Sequence, residues 1–135
     1  MDRPAYPWLS PEGAAEGVLR ELQSAVSGLP AGYLDLLRLG NGGEVGLTVS
    51  PFNLCLDSAE DALDYWNSGT YPMNGVFVFG GDGGGSALAF DMRGSMPCPV
   101  ISFQLIGPDG SVEQVAPSWE SFLTLIDSED AEWDG

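Results

Sequence analysis

Residues 76–91 read VFVFGGDGGGSALAFD, and this stretch decides the fold that the sequence predicts. The first arm, residues 76–79, is apolar at every position, as in a strand that is covered on both faces. The second arm alternates, with one face formed by Leu88, Phe90 and Met92 and the other by Ala87, Ala89 and Asp91. Between the arms, residues 80–85 are all glycine except Asp82. Two strand-forming arms joined by glycines predict a β-hairpin, which we place at the centre of a sheet.

Helical patterns occur on both sides of this hairpin. We predict four helices from their caps and apolar spacing: from Ser10-Pro11-Glu12 to Gly28, from Pro30 to Gly40, from Asp57 or Ser58 to Gly69, and after Ser118. Further strands are predicted at residues 47–49, 52–56, 100–106 and 111–115, with a sharp reversal at 41–43 and a turn at 107–110. In the strand at 52–56, Phe52, Leu54 and Leu56 are expected to share one face. Helices at both ends and strands in the middle predict an α+β fold with a central, antiparallel-rich (mixed) sheet.

The chain length of 135 residues fits a single domain. We assign residues 12–126 to this domain, residues 1–11 to an irregular lead-in whose Tyr6, Trp8 and Leu9 can dock on the domain, and residues 127–135 to an acidic tail. The first residues lack the apolar segment of a secretory signal, and no run approaches the roughly 18 apolar residues of a membrane span. We therefore expect a cytoplasmic protein that does not insert into a membrane.

The charge balance is the unusual feature of the composition. The chain carries 20 acidic and 4 basic residues, a net charge of −16, and it contains no lysine and no histidine. A surface of this kind repels phosphate backbones, so nucleic-acid binding is disfavoured, whereas the same field attracts a basic protein and speeds its association. The alternative is that the acidic surface serves only to keep the protein in solution.

The glycine-rich segment does not predict a nucleotide or metal site. A phosphate loop requires a lysine and a following helix, whereas this chain has no lysine and a strand is predicted next. A calcium loop requires several oxygen ligands at fixed spacing, and Asp82 supplies one. Cys55 and Cys98 lack metal-ligand spacing and are expected to be free thiols in a buried or half-buried position. We expect neither a cofactor nor a metal.

The sequence also argues against an enzyme. Histidine, the commonest general base, is absent, and no serine or cysteine has an obvious catalytic partner. Among 20 carboxylates, some lie near one another by chance, so a pair of acids is not by itself a sign of acid–base catalysis.

Acidic side chains are therefore the candidate contacts for a basic partner. The candidates are Glu44, Asp57, Glu60, Asp61, Asp64 and Asp82. For the four acids at and beside the third predicted helix, the alternative is helix capping and a solvated helix face.

Three segments, in order and spacing, resemble a known superfamily. Leu29-Pro30-x-x-Tyr33-x-x-Leu36-Leu37 followed by Asn41-Gly42-Gly43-Glu44 is similar to the signature of the SUKH superfamily. The Gly80 to Asp91 segment resembles its glycine–aspartate hairpin and following strand, and Val115-Ala116-x-Ser118-Trp119-x-x-Phe122-Leu123 resembles its closing helix, with Trp119 in place of phenylalanine. The resemblance covers residues 12–126.

The resemblance implies an α+β fold with helices packed around a central sheet, and a function in binding rather than in chemistry. The superfamily includes bacterial immunity proteins, which bind and block a cognate toxin that is often a nuclease, and fungal cell-wall-assembly regulators of the Smi/Knr type. The first expectation is an immunity-type protein that neutralises a basic toxin domain. The alternative is a regulatory scaffold whose partner is not a toxin.

Overall fold

The computed structural model describes residues 8–71, 73–94, 97–107 and 110–126. Within these residues the helices and strands follow one another in the order α1 (Glu16–Ala25), α2 (Ala31–Leu39), β1 (Gly43–Gly46), β2 (Asn53–Leu56), α3 (Ala59–Ser68), β3 (Val76–Gly81), β4 (Ser86–Asp91), β5 (Val100–Gln104), β6 (Glu113–Ala116) and α4 (Trp119–Leu123). The α+β class predicted from the sequence is confirmed.

The strands form one six-stranded sheet in which each strand pairs with the next along the chain, in the order β1-β2-β3-β4-β5-β6. All five pairings are antiparallel, so the sheet is a meander without the parallel pairs of a mixed sheet. The hairpin of β3 and β4 occupies the two central positions, as predicted. A register shift between Val78 and Gly80 marks a β-bulge in β3, just before the glycine-rich turn.

One face of the sheet packs against the helices and forms the main core. The large aromatic side chains Phe77, Phe79 and Phe90 are fully buried there, and Leu88 shares their face. Helices α2 and α4 cover them with Tyr33, Trp119 and Phe122, whose rings meet those of the hairpin mostly edge to face. The alternation predicted for the second arm of the hairpin is confirmed, because Leu88 and Phe90 lie in this core whereas Ala87 and Ala89 lie on the opposite face.

The opposite face carries a smaller apolar cluster over β3, β4 and β5. The cluster contains Met73, Val76, Val78, Ala87, Ala89, Ile101 and Phe103, with Tyr71 and Val112 packed against it. On this face, direct cross-strand partners continue the row of Ala87 through Gly81 and Cys55 to Glu44 on the edge strand β1. Toward β1 and β2 the face therefore changes from apolar to polar.

The start of the first helix was predicted wrongly. Helix α1 begins at Glu16, not at residues 10–12, although Ser, Pro and Glu there form a typical cap sequence. The backbone of this segment instead bonds to distant parts of the chain: the Ser10 amide donates to Gly42, the Ala14 amide donates to Leu37, and the Glu12 carbonyl accepts from Asn41. These long-range bonds hold residues 10–14 in a non-helical conformation, so the local cap signal is overridden.

The strands near the predicted reversal at 41–43 also differ from prediction. Gly43 already belongs to β1, and residues 47–49 form the connection to β2 rather than a strand. Phe52 does not share a face with Leu54 and Leu56, because it adopts a φ of 70° and is 65% exposed. Strand β5 ends at Gln104, two residues before the predicted end at Ile106.

Other predicted boundaries are confirmed. Ser58 caps α3 by accepting a hydrogen bond from the Asp61 amide at 3.1 Å, and Gly69 ends that helix in the left-handed region with a φ of 65°. Ser118 caps α4 in the same way, through the Ser121 amide. No helix within the described ranges is long and apolar enough to cross a membrane.

The lead-in assigned to residues 1–11 and the tail assigned to 127–135 stay predictions, because residues 1–7 and 127–135 lie outside the described residues. The same holds for the middle of the turn at 107–110, since Pro108 and Asp109 are outside them too. Of the lead-in, Trp8 and Leu9 pack on the core, and Leu9 forms an isolated bridge to Gly43.

Candidate functional site

Three connections meet at one end of the sheet. In an antiparallel meander, the β1–β2 connection, the β3–β4 turn and the chain leaving β5 all lie at the same end. Hydrogen bonds join them: Asn53 Nδ2 donates to the Asp82 carbonyl at 3.2 Å, and the Leu105 amide donates to the Gly85 carbonyl at 2.8 Å. We call this surface, formed by Phe52, residues 82–85, Leu105 and Ile106, the loop end.

Large apolar side chains are exposed at the loop end. Of the four large hydrophobic residues that are exposed in the described chain, three lie here: Phe52 at 65%, Leu105 at 44% and Ile106 at 91%. The fourth, Leu39, lies at the end of α2. Single exposed apolar residues are normal on a protein surface, but a concentration of three at one end of the sheet is typical of a contact surface.

A groove of about 590 Å³ crosses the loop end, lined by Gly84, Gly85, Ser86, Gln104, Leu105 and Ile106. A second groove, of about 190 Å³, adjoins it and extends along the opposite face of the sheet to Asp57. The two grooves share Gly84, Ser86 and Leu105. We call the second one the acidic groove.

Glycines open the acidic groove. Its lining includes Gly80, Gly81, Gly83 and Gly84, beside the side chains of Cys55, Asp57 and Tyr71. A side chain at Gly80 would collide with the Cys55 carbonyl oxygen, so β2 and β3 approach each other closely only because this position is glycine. Gly80 therefore has a structural role, and the glycines together leave the groove without side chains on one wall.

Acidic side chains converge around Cys55. Asn53 Nδ2 donates hydrogen bonds to Glu44 Oε2 at 3.0 Å and to the Cys55 sulfur at 3.6 Å. Burial raises the pKa of the Cys55 thiol, and the charges of Glu44, Asp57 and Asp82 raise that pKa further. The thiol is therefore held in its neutral form at physiological pH, unlike a catalytic cysteine, which needs a lowered pKa.

Asp57 has the most perturbed carboxylate of the groove. Burial, with a smaller contribution from the Asp61 charge, raises its pKa from 3.8 to about 6. Its carboxylate accepts no hydrogen bond from a described residue, and its backbone amide donates to Phe79 at 3.0 Å. A half-buried carboxylate without a donor is stabilised when a cation approaches it.

Asp82 also has a structural role, since its Oδ1 accepts hydrogen bonds from the amides of Gly84 at 2.8 Å and Ser86 at 3.1 Å. These two bonds fix the β3–β4 turn. The carboxylate therefore holds the turn and contributes negative charge at the same time.

The three predicted contacts on α3 divide into two groups. Asp61 and Asp64, together with Asp57, surround Tyr65, and their charges raise its pKa, that of Asp57 most strongly. Glu60 instead accepts a hydrogen bond from Asn41 Nδ2 at 2.8 Å, which lowers the pKa of Glu60. Because the Asn41 Oδ1 also accepts from the Ala59 amide at 2.7 Å, Glu60 belongs to the structure that fixes the start of α3.

The arginines of the described chain lie away from the loop end. Arg38 on α2 pairs with Glu16 at 2.9 Å and with Asp35, whereas Arg93 pairs with Asp91 beyond the other end of β4. Arg20 lies on α1. The loop end and acidic groove therefore combine negative charge with apolar surface, and no described cation neutralises them.

The SMI1 / KNR4 family model (SUKH-1) matches residues 13–125. The chain belongs to this family. No individual curated protein is similar enough in sequence to count as a relative. In this SUKH-1 protein, no group of three or more acidic or cysteine side chains within the described ranges is arranged to hold a metal ion.

Sequence reasoning missed several residues of the site. Asn53 and Tyr71 carried no charge signal, and Leu105 and Ile106 were assigned to a strand. For Leu105 and Ile106, one feature of the sequence could have indicated exposure: they lie just before the Gly-Pro-Asp-Gly turn, where a neighbouring strand does not cover an apolar pair. The structure brings Glu44, Asp57 and Asp82 together around Cys55; whether they contact a partner stays a prediction.

Proposed function

We propose that this SUKH-1 protein is a cytoplasmic, non-catalytic binding protein of the immunity type, which neutralises a cognate basic toxin domain. The observation that carries the proposal is the acidic groove with the acids around it: Glu44, Asp57 and Asp82 come from three separate segments to one surface, where no arginine of the described residues lies. Family membership agrees with a binding role. The raised pKa of Cys55 makes nucleophilic catalysis at this site unfavourable.

The mechanism is electrostatic occlusion. A nuclease-type toxin needs a positive groove for its phosphate substrate, and carboxylates placed in that groove occupy the same positions as phosphate oxygens. The net charge of −16 extends the attraction beyond the contact surface and raises the association rate, since long-range steering depends on the whole charge distribution. Negative charge at a toxin's substrate groove also excludes the nucleic acid from it.

The decisive experiment uses the product of the neighbouring gene as the probe. We expect it to bind this protein in isothermal titration calorimetry, to lose its toxic activity on binding, and to bind at least tenfold more weakly at about 300 mM than at about 50 mM salt. Binding that is independent of salt would contradict electrostatic occlusion. Binding without loss of a toxic activity would contradict the immunity role and indicate the regulatory alternative.

Matched variants locate the charge. Glu44→Gln and Asp57→Asn are expected to weaken binding about three- to thirtyfold each, with the loss shrinking at high salt. Glu113→Gln removes the same charge from an exposed position on β6, at the opposite edge of the sheet from β1, and is expected to change affinity less than twofold. Equal losses in all three variants would mean that net charge, and not the acidic groove, drives binding.

A further inference from the structure

We propose that the groove at the loop end, between residues 84–86 and 104–106, is the docking site for an apolar side chain of the basic partner, whose cationic residues then lie over the acidic groove. This inference rests on the proposed function and adds the part of the surface that supplies short-range affinity. It assigns that role to Leu105 and Ile106, two residues that carry no charge.

No contact within the described part of the chain explains the apolar exposure at the loop end. Ile106 is 91% exposed and follows the last paired residue of β5 by two positions, so its side chain adds nothing to the core. Leu105 is 44% exposed and lines both grooves. Apolar side chains in this position gain free energy only when another surface covers them.

The groove is held in shape before any partner arrives. The Leu105 amide donates to the Gly85 carbonyl at 2.8 Å, and the Gln104 amide donates to the Ser111 hydroxyl oxygen at 2.7 Å. On the other wall, the two hydrogen bonds that Asp82 accepts fix the turn. A preformed groove reduces the ordering entropy that binding must overcome, and thereby favours affinity.

Charge identifies the kind of partner. The groove at the loop end joins the acidic groove through Gly84, Ser86 and Leu105. A partner segment that binds in the groove at the loop end therefore extends over the acidic groove. There it meets Asp57 and Tyr71, a half-buried carboxylate and a half-buried ring, which are the groups that bind a lysine or arginine side chain. Because no described arginine lies at this end, a partner with an apolar side chain flanked by cations fits the surface.

Ile106→Ser tests the docking site, with Leu39→Ser as the matched control. Both positions are exposed, at 91% and 58%, so neither change disturbs the core, but Leu39 lies at the end of α2. With the neighbouring gene product as the probe, Ile106→Ser is expected to weaken binding about 10- to 100-fold at every salt concentration, since an apolar contact is not screened. Leu39→Ser is expected to bind within twofold of the unmodified chain.

Gly85→Phe tests the same groove by filling it. A Cβ atom added at Gly85 would meet no atom within 4 Å, so there is space for a side chain to leave the backbone here, and we expect a phenylalanine ring to fill the groove that Gly85 lines. The control is Gly17→Phe on α1, where an added Cβ atom also meets nothing within 4 Å. We expect Gly85→Phe to reduce binding at least tenfold and Gly17→Phe to leave it unchanged, with unfolding midpoints measured for both.

The outcomes separate the two proposals. If the unmodified protein does not bind the probe, the proposed function fails and this inference fails with it. If the unmodified protein binds the probe with an affinity that falls as salt rises, but Ile106→Ser and Gly85→Phe bind the probe as tightly as it does, the proposed function stands and the docking site is wrong. Loss of binding in both variants, with both controls unaffected, supports the docking site.

Discussion

Replacing Asp57 by asparagine is expected to change the stability of the protein and its affinity for the partner in opposite directions. The carboxylate is half-buried, lies near the Asp61 charge, and receives no hydrogen bond from a described residue. Its pKa is raised from 3.8 to about 6, so the folded protein opposes its ionisation. We therefore expect Asp57→Asn to stabilise the protein at neutral pH and to weaken partner binding. A change that raises stability while it lowers binding indicates a residue retained for function.

The magnitude follows from the shift of the pKa. A rise of about two units corresponds to about 3 kcal/mol of opposition to the charged form, and solvent screening at a half-buried site reduces this to about 1–1.5 kcal/mol. The sign follows from linkage: below about pH 4 both the folded and the unfolded chain hold the proton, and between about pH 4 and 6 only the folded chain does. The contribution of Asp57 to stability therefore falls as the pH rises through this window and stays low above it.

Urea unfolding of both proteins between about pH 4 and pH 8 measures this effect. The midpoint of Asp57→Asn is expected to match that of the unmodified chain near pH 4 and to exceed it by roughly 0.5–1 M near pH 7. Glu113→Gln corrects for the general relief of repulsion in a chain of net charge −16. A variant of equal or lower stability near pH 7, after this correction, would refute the inference that burial opposes the charge.

Further predictions concern the fold around the site. Gly80→Ala forces β2 and β3 apart at the Cys55 carbonyl and is expected to cost about 2–4 kcal/mol in urea unfolding; a loss below 1 kcal/mol would contradict the close approach. Ser58→Ala removes the cap of α3 and is expected to lower the free energy of unfolding by about 1 kcal/mol in the same assay. An unchanged free energy would show that the cap does not stabilise the helix. The buried Tyr33 hydroxyl has no partner among described residues, so Tyr33→Phe is expected to be neutral or to stabilise by about 1 kcal/mol, and a destabilised variant would reveal a hidden partner. Glu44→Gln is expected to lower the pKa of Cys55 and to speed its alkylation by iodoacetamide near pH 8 several-fold. An unchanged rate would show that the Glu44 charge does not raise the pKa of Cys55.

The fold was predictable wherever local and long-range preferences agree. The central hairpin combines apolar alternation with glycines at the turn, and both features have the same consequence in any packing arrangement. The start of α1 was not predictable, because the bonds from residues 10–14 to Leu37, Asn41 and Gly42 depend on contacts that no local pattern indicates. The face predicted for Phe52 was wrong for a related reason, since its φ of 70° interrupts the alternation that places successive side chains on opposite faces of a strand.

The candidate site was predictable in charge and unpredictable in arrangement. The composition alone indicates an acidic surface, and the capping sequence at Asp57-Ser58 places several acids on one turn. The meeting of Glu44, Asp57 and Asp82 depends on the register of β1, β2 and β3, and a slip of one residue would move Glu44 to the opposite face. Register of this kind is set by the packed sheet, so no spacing along the chain reveals it.

The glycines of the central hairpin connect the fold and the site. Gly80 allows the close approach of β2, and the absence of side chains at residues 83–85 leaves both grooves open, so a side chain there alters the fold, the site or both. Ile106 and Glu44, at the edge of the two grooves, differ from these glycines. Both side chains are exposed, so their replacement does not disturb the core. Under the proposed function, specificity for the partner can therefore be adjusted at these exposed positions while the hairpin stays constant, because specificity is a difference in affinity that exposed residues alter at little expense to stability.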